Sequence, residues 1–148
     1  MIPGKLFKLA FATTSLAVLT MAMGSYVSRV GAGMACPDWP LCPLEADPFI
    51  VLEFSHRIVA FATFLAGLLT FLTGWRTSLR PLVFSAFTAL VIQVFLVGAV
   101  MIYTAIPPLV VAVHQAFAAS VLALHSSVAT AAYMTSRLEK TKIGLKTG

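Results

Sequence analysis

Charged residues are scarce in this chain of 148 residues, and the scarcity limits the kind of protein it can be. They make up 10% of the sequence, whereas an average soluble protein has about 25%. Positions 81 to 136 contain no Asp, Glu, Lys or Arg at all. A soluble domain is therefore excluded, and the length leaves room for one compact membrane unit.

A basic patch is absent as well. The net charge of +5 comes from ten Lys and Arg against five Asp and Glu, but the basic residues lie dispersed at the ends of the apolar segments. Such a distribution reports orientation in a membrane rather than contact with nucleic acid. We therefore expect no nucleic-acid partner.

Cysteine is rare too, with only Cys36 and Cys42 in the whole chain. Five residues separate them, which is not the C-x-x-C spacing of thiol oxidoreductases. A disulfide across so short a segment is geometrically easy, and the loop-length relation gives it about 2 kcal/mol. We favour a structural disulfide here, and the sequence leaves open whether the pair also exchanges electrons.

Four apolar segments are each long enough to cross a bilayer: about 6–27, 49–74, 82–106 and 109–135. The sequence therefore predicts a single domain of the all-α class, an integral membrane protein formed by an antiparallel bundle of four transmembrane helices. For the first segment the alternative is a cleaved signal peptide. Its apolar run of about 20 residues is long for that, and removal would leave three helices.

The charges between the segments predict the topology. Four crossings put the N-terminus, the second connection and the tail on one side, and the positive-inside rule makes that side cytoplasmic. These three places hold the basic residues Lys5, Lys8, Arg76, Arg80, Arg137, Lys140, Lys142 and Lys146. The first connection has Asp38, Glu45 and Asp47 against Arg29 alone, so we expect it to be extracytoplasmic. The predicted location is the plasma membrane, with several passes and both termini inside.

The segment LEFSHR, residues 52–57, places three ionisable side chains in the first turns of the second helix. Ionisable groups inside a membrane helix are costly and indicate function by default. Glu53 and His56 share a face, and Glu53 and Arg57 have the spacing of an ion pair. The alternatives are that Glu53 stabilises the helix N-terminus and that Arg57 extends to the lipid headgroups.

His114 is expected near the start of the fourth helix, as His56 is near the start of the second. At about 1.5 Å per residue both lie roughly 10 Å below the outer face. Two histidines at matched depth in a four-helix bundle suit axial ligation of haem iron. Interhelical hydrogen bonding and plain helix packing are the alternatives. Small residues that leave room for a porphyrin follow in helix two (Ala60, Thr63, Gly67, Thr70, Gly74) and helix four (Ala118, Val121, Ala129, Ala132).

Two further polar residues lie within the apolar segments. His125 follows His114 by three helical turns, which places it about 16 Å deeper, where no other helix offers a second histidine. We interpret it as a polar packing residue. Gln93, near the middle of the third segment, is expected to hydrogen-bond a ligand or a neighbouring helix.

Together these features resemble the haem A synthase family, whose members work in cytochrome oxidase biogenesis. The resemblance rests on GAGMACPDWPLCP after the first helix, EFSHR in the second, a glutamine in the third and a histidine opening the fourth. Family members usually have eight transmembrane helices in two halves, each with a histidine pair, and this chain is similar to the N-terminal half. One half holds haem b, and the other receives haem o, whose ring methyl is oxidised to the formyl group of haem A.

The resemblance assigns roles to five residues of this chain. His56 and His114 would be the axial ligands of haem iron, and Glu53 the catalytic acidic residue beside the substrate. Cys36 and Cys42 would be the cysteine pair of the outer loop.

Our own additions concern the outer face and the partners. Arg57 and Arg29 are candidates to pair with the haem propionates, and Trp39 is expected to lie against the bilayer surface or the haem edge. Because the chain has one half only, we expect a homodimer or higher homo-oligomer, with a separate partner chain as the alternative. Haem o synthase is a further candidate partner.

Three other functions compete with the enzyme. A b-type cytochrome for electron transfer would share the histidine pair, but it requires neither an acid beside the ligand nor the cysteine loop. A quinone-linked thiol oxidoreductase would explain external cysteines but neither histidine. A small transporter finds little support in the third and fourth segments, which carry no charge.

Overall fold

The computed structural model describes residues 2–38, 41–43, 45–105 and 107–147, with the backbone alone at 2, 143, 144, 146 and 147. Helix α1 spans Ile2–Arg29, and α2 spans Pro48–Gly74. The third span consists of α3 (Arg80–Val91), a π-helical turn (Ile92–Val97) and α4 (Gly98–Tyr103), and α5 spans Pro108–Thr147. Four helices are long and apolar enough to cross a membrane, and the described residues form no strand. The predicted all-α membrane protein with four spanning helices is confirmed.

Two features of the helices differ from the sequence-based expectation. Helix α5 continues to Thr147, well beyond the expected end near residue 135, because the polar tail is rich in good helix formers such as Leu138, Glu139 and Lys140. The π-helical turn interrupts the third span, which was expected to be continuous. A π-helical turn contains one residue more than an α-helical turn. In a segment that is apolar on all faces, this extra residue does not disturb the hydrophobic pattern, so the sequence does not predict it.

The helices form a ring in which each packs against two neighbours. Helix α1 packs against α2 and α5, and α3 packs against the same two helices. Helices α2 and α5 therefore lie at opposite corners and face each other across the bundle. We name the two ends of the bundle by what they carry: the disulfide end holds the loop of residues 30–47 and the starts of α2 and α5, and the termini end holds the start of α1 and the α2–α3 connection.

Local sequence signals fix where the chain turns at the disulfide end. Gly31 has φ +77°, a left-handed conformation that suits glycine and lets the chain leave α1. The side chain of Asp47 caps α2, accepting hydrogen bonds from the backbone N–H groups of Phe49 (2.8 Å) and Ile50 (3.2 Å). Pro48 follows at the first helical position, where proline is favoured. The start of α2 is thereby set, and with it the depth of each residue along this helix.

The tightest packing lies towards the termini end. One cluster of buried side chains joins α1, α3 and α5, and most of its members are small, which allows close approach of the helix backbones. Its members are Leu6, Ala10, Val83, Ala86, Val128, Ala129 and Ala132. The small-residue stripes predicted on α2 and α5 are buried in this half of the bundle, at Thr63, Gly67, Thr70, Gly74, Val121, Ala129 and Ala132.

Threonine hydroxyls link α1 to α2 inside the bundle. Thr13 and Thr70 share a hydrogen bond of 3.0 Å between their hydroxyl oxygens, and Thr20 and Thr63 share one of 2.8 Å. Bonds of this kind between membrane helices are worth about 0.6 kcal/mol each. They also satisfy polar atoms that have no access to water, so they fix the register of the two helices.

Gly67 provides the first test of this packing. A Cβ atom at this position would overlap Cδ2 of the buried Leu90 and would lie 3.5 Å from Nε2 of His125. We therefore expect Gly67→Ala to lower stability by about 1–3 kcal/mol, the usual cost of overpacking, seen as a lower midpoint of thermal unfolding in detergent micelles. Gly4→Ala is the matched control, because no atom lies within 4 Å of a Cβ at that position. Equal midpoints for the two variants would contradict the packing described here.

Candidate functional site

His56 projects into the bundle from α2, against α1. Its ring lies beside Gly24, where a Cβ would be 2.9 Å from Cε1 and 3.4 Å from Nε2. Glycine at position 24 therefore leaves the space that the ring occupies. The Nδ1 atom of His56 is buried without a hydrogen-bond partner among the described residues, a property it shares there only with Oε1 of Gln93.

His114 projects from α5 and contacts the third span. The amide nitrogen of Gln93 lies 3.2 Å from Nε2, 3.4 Å from Nδ1 and 3.2 Å from the backbone oxygen of His114. Gln93 lies within the π-helical turn and is 9% exposed. Turns of this kind are rare and often occur at functional sites.

The two histidines lie at a similar depth in the bundle. His56 follows the start of α2 at Pro48 by eight residues, and His114 follows the start of α5 at Pro108 by six. At 1.5 Å per residue they lie about 12 Å and 9 Å from the start of their helices, both of which begin at the disulfide end. The structure thus places the two residues that the sequence nominated as ligands at one level of the bundle, on helices that face each other.

Glu53 and Arg57 connect the histidine-bearing helix to the cysteine loop. The Nε–H of Arg57 donates to Oε1 of Glu53 at 2.9 Å, and Glu53 is buried, with 6% exposure for the whole residue. The terminal nitrogens of Arg57 donate to the backbone oxygens of Cys36 (2.7 Å), Leu41 (2.9 Å) and Asp38. We call this arrangement the guanidinium clamp: Arg57 with Glu53 on one side and three loop carbonyls on the other.

The clamp closes on a segment that a covalent bond already constrains. Cys36 and Cys42 are joined by a disulfide, with Cα atoms 4.8 Å apart, and Cys36 is completely buried. All three carbonyls of the clamp belong to the segment that the disulfide closes. The loop is therefore anchored both to itself and to α2, directly above Glu53 and His56.

The remaining nominated residues lie apart from this centre. Arg29 is exposed in the last turn of α1, and the structure shows no hydrogen bond from its side chain to a described residue. Trp39 lies outside the described residues. Pairing of Arg29 or Arg57 with haem propionates stays a prediction.

His125 lies deep in the packed half of the bundle. It is 1% exposed, its Nδ1 atom is 3.0 Å from the backbone oxygen of Val121, and it borders Gly67. These contacts agree with a packing role. The contacts of Gln93 with His114 on α5 agree with the expectation that this amide bonds a ligand or a neighbouring helix, although the sequence did not indicate which residue its partner would be.

His56 and His114 have the donor chemistry that haem iron requires. Two imidazoles on facing helices of a four-helix bundle form a suitable donor set for it, and Nδ1 of His56 has no hydrogen-bond partner among the described residues. No group of three or more His, Cys, Asp or Glu that could hold a metal ion occurs in the part of the chain that the structure describes, whereas haem needs only two protein ligands.

Space for the porphyrin is a matter of side-chain packing. His56, Ala60, His114 and Ala118 are partly buried, unlike the closed cluster towards the termini end. Two open pockets lie at that other end, one beside Trp75 and another beside Thr77. Room between the histidines therefore depends on movement of the side chains at their level.

Fold and site together define a class: a membrane-embedded four-helix bundle with a facing histidine pair beneath a disulfide loop. The chain belongs to the COX15-CtaA family of cytochrome oxidase assembly proteins, whose family model matches residues 5–126. It is 35% identical over 119 residues to haem A synthase from Shouchella clausii, covering 72% of this chain and 39% of the relative. It is 32% identical over 139 residues to haem A synthase from Ruegeria pomeroyi, covering 81% of this chain and 36% of the relative.

The matches cover most of this chain but less than half of each relative. Haem A synthase from Geobacillus thermodenitrificans is 32% identical over 114 residues, or 69% of this chain and 36% of the relative. The chain thus spans well under half the length of the curated relatives it matches. No solved structure matches it closely enough to add to the comparison.

Proposed function

We propose that the chain is a haem A synthase-like oxidoreductase that binds haem through His56 and His114 and oxidises the ring methyl of haem o to the formyl group of haem A. The observation that carries the proposal is the pair of histidines at one depth on the two facing helices, with the buried carboxyl of Glu53 one turn away. The haem A synthases among the relatives support the reaction. Haem iron, when bound, supplies the redox chemistry, with haem b as the expected cofactor.

The protein's own contribution is to hold its polar groups around the substrate edge. Glu53 precedes His56 by three residues, so both lie on one face of α2. Arg57 holds Oε1 of Glu53 in place through its Nε–H. The carboxyl group of Glu53, held beside the edge of the porphyrin ring, would accept or relay protons as the methyl carbon is oxidised, or hold the water that provides oxygen. The disulfide loop covers this end of the bundle and limits access of bulk water.

Glu53→Gln tests the chemical role of the carboxyl group. Glutamine retains an oxygen that can accept from Arg57, so we expect haem binding to persist while formation of haem A falls about 100-fold or more, the usual value of a positioned acid or base. Pigments extracted from membranes of a host that supplies haem o and separated by chromatography measure this. Glu45→Gln, on the exposed part of the loop, is the matched control and should be unaffected. Normal haem A formation by Glu53→Gln would rule out the catalytic role.

A second site is needed if cofactor and substrate haems are bound at once. One bundle offers one facing histidine pair among the described residues, and the curated relatives are more than twice as long as the matched region. We propose that a second copy of the chain supplies the other site, in a homodimer or higher homo-oligomer. A separate partner chain is the alternative, and haem o synthase is the candidate source of substrate.

The proposed orientation follows from charge and from cysteine chemistry. The basic residues at the termini end place that end in the cytoplasm by the positive-inside rule. The disulfide end is then extracytoplasmic, where disulfides persist. The plasma membrane is the proposed location.

One observation favours a second candidate, a b-type cytochrome that transfers electrons without modifying its haem. The ion pair with Arg57 gives Glu53 a structural task that requires no catalysis. The pigment experiment separates the two functions, since a cytochrome would yield haem b alone. A quinone-linked thiol oxidoreductase is less well supported, because complete burial of Cys36 keeps its sulfur from a partner thiol.

A further inference from the structure

We propose that the pocket beside Trp75 binds an anionic phospholipid: Arg80 holds the phosphate of the headgroup, and the aromatic surface next to it contacts an acyl chain. The pocket has a volume of about 430 Å³ and is lined by Trp75, Arg80, Pro81 and Phe84. It lies at the termini end, whereas the histidine pair lies towards the disulfide end. The inference is therefore independent of the proposed haem function.

The pocket forms where the chain passes from α2 to α3, and this connection is tightly hydrogen-bonded. Trp75 follows the last residue of α2, and its backbone N–H still donates to the carbonyl oxygen of Phe71 at 2.9 Å. The backbone N–H of Thr77 donates to the carbonyl oxygen of Gly74 at 3.0 Å, and that of Arg80 donates to Thr77 at 3.1 Å. The side chains of Trp75 and Arg80 are thus held by one short turn.

The guanidinium group of Arg80 is positioned but has no acceptor in the protein. Its Cζ atom lies 4.0 Å from the centroid of the Trp75 ring, a cation–π contact. Among the residues that the structure describes, no oxygen accepts a hydrogen bond from this group. A guanidinium presents several N–H donors in a planar fork that matches the oxygens of a phosphate. Because Arg80 is exposed, these donors are accessible to a ligand from outside the bundle.

The pocket is positively charged. No acidic residue of the described chain lines it, and Arg76 adds a second exposed cation in the same connection. Glu139 of the tail borders a different pocket, together with Thr77 and Ser78. A surface with one sign of charge attracts ligands of the opposite sign. We therefore expect the ligand of this pocket to carry negative charge.

The surface next to the guanidinium is aromatic and extends into the membrane between α2 and α3. The ring of Trp75 is 5.0 Å from that of Phe71 and 6.3 Å from that of Phe84. Phe71 in turn stacks on Phe87, with 4.8 Å between the ring centroids. Phe84 is 52% exposed and, one helical turn after Arg80, lies about 6 Å deeper. A cation with an apolar surface directly below it fits an amphiphilic ligand.

These features favour a phospholipid over a soluble anion. A free phosphate would use the guanidinium alone, whereas a phospholipid also fills the pocket and covers the exposed ring of Phe84. The site lies at the start of a membrane-spanning helix, which is the level of the lipid headgroups. In the proposed orientation this end is cytoplasmic, and anionic lipids give the cytoplasmic leaflet its negative surface potential.

The first experiment uses Trp75 as the reporter. The chain has two tryptophans, so Trp39→Phe leaves Trp75 as the only one. This chain is placed in phosphatidylcholine bilayers to which phosphatidylglycerol or phosphatidylcholine with brominated acyl chains is added, because bromine quenches tryptophan fluorescence on contact. Quenching relative to the same bilayer without bromine gives the relative affinity of the two lipids. We expect phosphatidylglycerol to be preferred about 5-fold, the contribution of one basic side chain at an anionic surface.

Two variants in this background show whether Arg80 is the cause. Arg80→Gln should abolish the preference, so that the two brominated lipids quench equally. Arg76→Gln is the matched control, since it removes the same charge from an exposed position that does not line the pocket, and it should retain the preference. Equal quenching by the two lipids without either substitution would overturn the inference. An equal loss in Arg76→Gln and Arg80→Gln would also overturn it, because the attraction would then be general to the basic residues.

The second experiment distinguishes a phospholipid from a soluble phosphate. The unaltered chain in detergent micelles is heated with short-chain phosphatidylglycerol, short-chain phosphatidylcholine or inorganic phosphate. A ligand that binds the folded state raises the midpoint of thermal unfolding, and we expect this rise with phosphatidylglycerol alone. Arg80→Gln should remove the rise, and Arg76→Gln should keep it. An equal rise with inorganic phosphate would overturn the assignment to a lipid, and no rise with any of the three would overturn the site.

Discussion

Arg57→Met is expected to destabilise the protein by about 3–5 kcal/mol, the cost of removing one partner of a buried ion pair. Both side chains of the pair are largely buried, at 12% exposure for Arg57 and 9% for Glu53. The variant leaves the carboxyl group of Glu53 without its partner and removes the donors to the carbonyls of Cys36, Asp38 and Leu41. Thermal unfolding in detergent micelles measures the loss, and faster reduction of the Cys36–Cys42 disulfide by a phosphine measures the release of the loop.

Two further variants show whether the clamp is the cause. Arg29→Met removes an exposed arginine at the same end of the bundle and should change stability by less than about 0.5 kcal/mol. Combining Glu53→Gln with Arg57→Met should restore part of the loss, because the variant no longer buries an unpaired carboxyl group. Similar unfolding midpoints for Arg57→Met and Arg29→Met would show that the clamp does not hold the loop.

His56→Ala and His114→Ala are each expected to abolish the six-coordinate spectrum of bound haem. Loss of a residue that merely supports a ligand costs about 10–100-fold in affinity, so loss of the ligand itself should cost more. Visible spectra of the purified protein, with and without reductant, measure this in each variant. Added imidazole should restore six-coordination in either alanine variant, because it replaces the missing ring.

The third histidine is the control for this prediction. His125 lies in the packed half of the bundle and borders Gly67, away from the facing pair. His125→Gln should lower stability while leaving the haem spectrum unchanged. A six-coordinate spectrum that survives in both His56→Ala and His114→Ala would contradict the assignment of the ligands.

The two predictions are connected through helix α2. Glu53, His56 and Arg57 lie within two turns of α2, so the loop, the acid and the ligand share a single rigid support. A loosened loop would therefore act on haem binding through Glu53 and the start of α2. Measuring haem release in Arg57→Met beside its unfolding would show how far the clamp positions His56.

The sequence by itself determined the class of protein and the depth of its site. The absence of charge from position 81 to 136 required membrane helices, since the cost of a charge in a bilayer acts on each segment independently of its neighbours. The depth of His56 and His114 also followed from local information. Proline at the start of α2 and α5, with the Asp47 cap on α2, sets the residue at which each helix begins. Because the rise per residue is constant, the depth of each histidine follows from its distance in sequence from that residue.

Only the tertiary structure decided which groups meet. The acceptors that the loop offers to Arg57 are backbone carbonyls, which every residue has, so no side chain in the loop predicts them. The contact of Gln93 with His114 depends on a π-helical turn and on the packing of α5 against the third span, and the Thr13–Thr70 bond depends on the register of α1 and α2. These contacts form between residues that are distant in the chain. Their partners are selected by how whole helices pack, and the periodicity of a single helix carries no information about that.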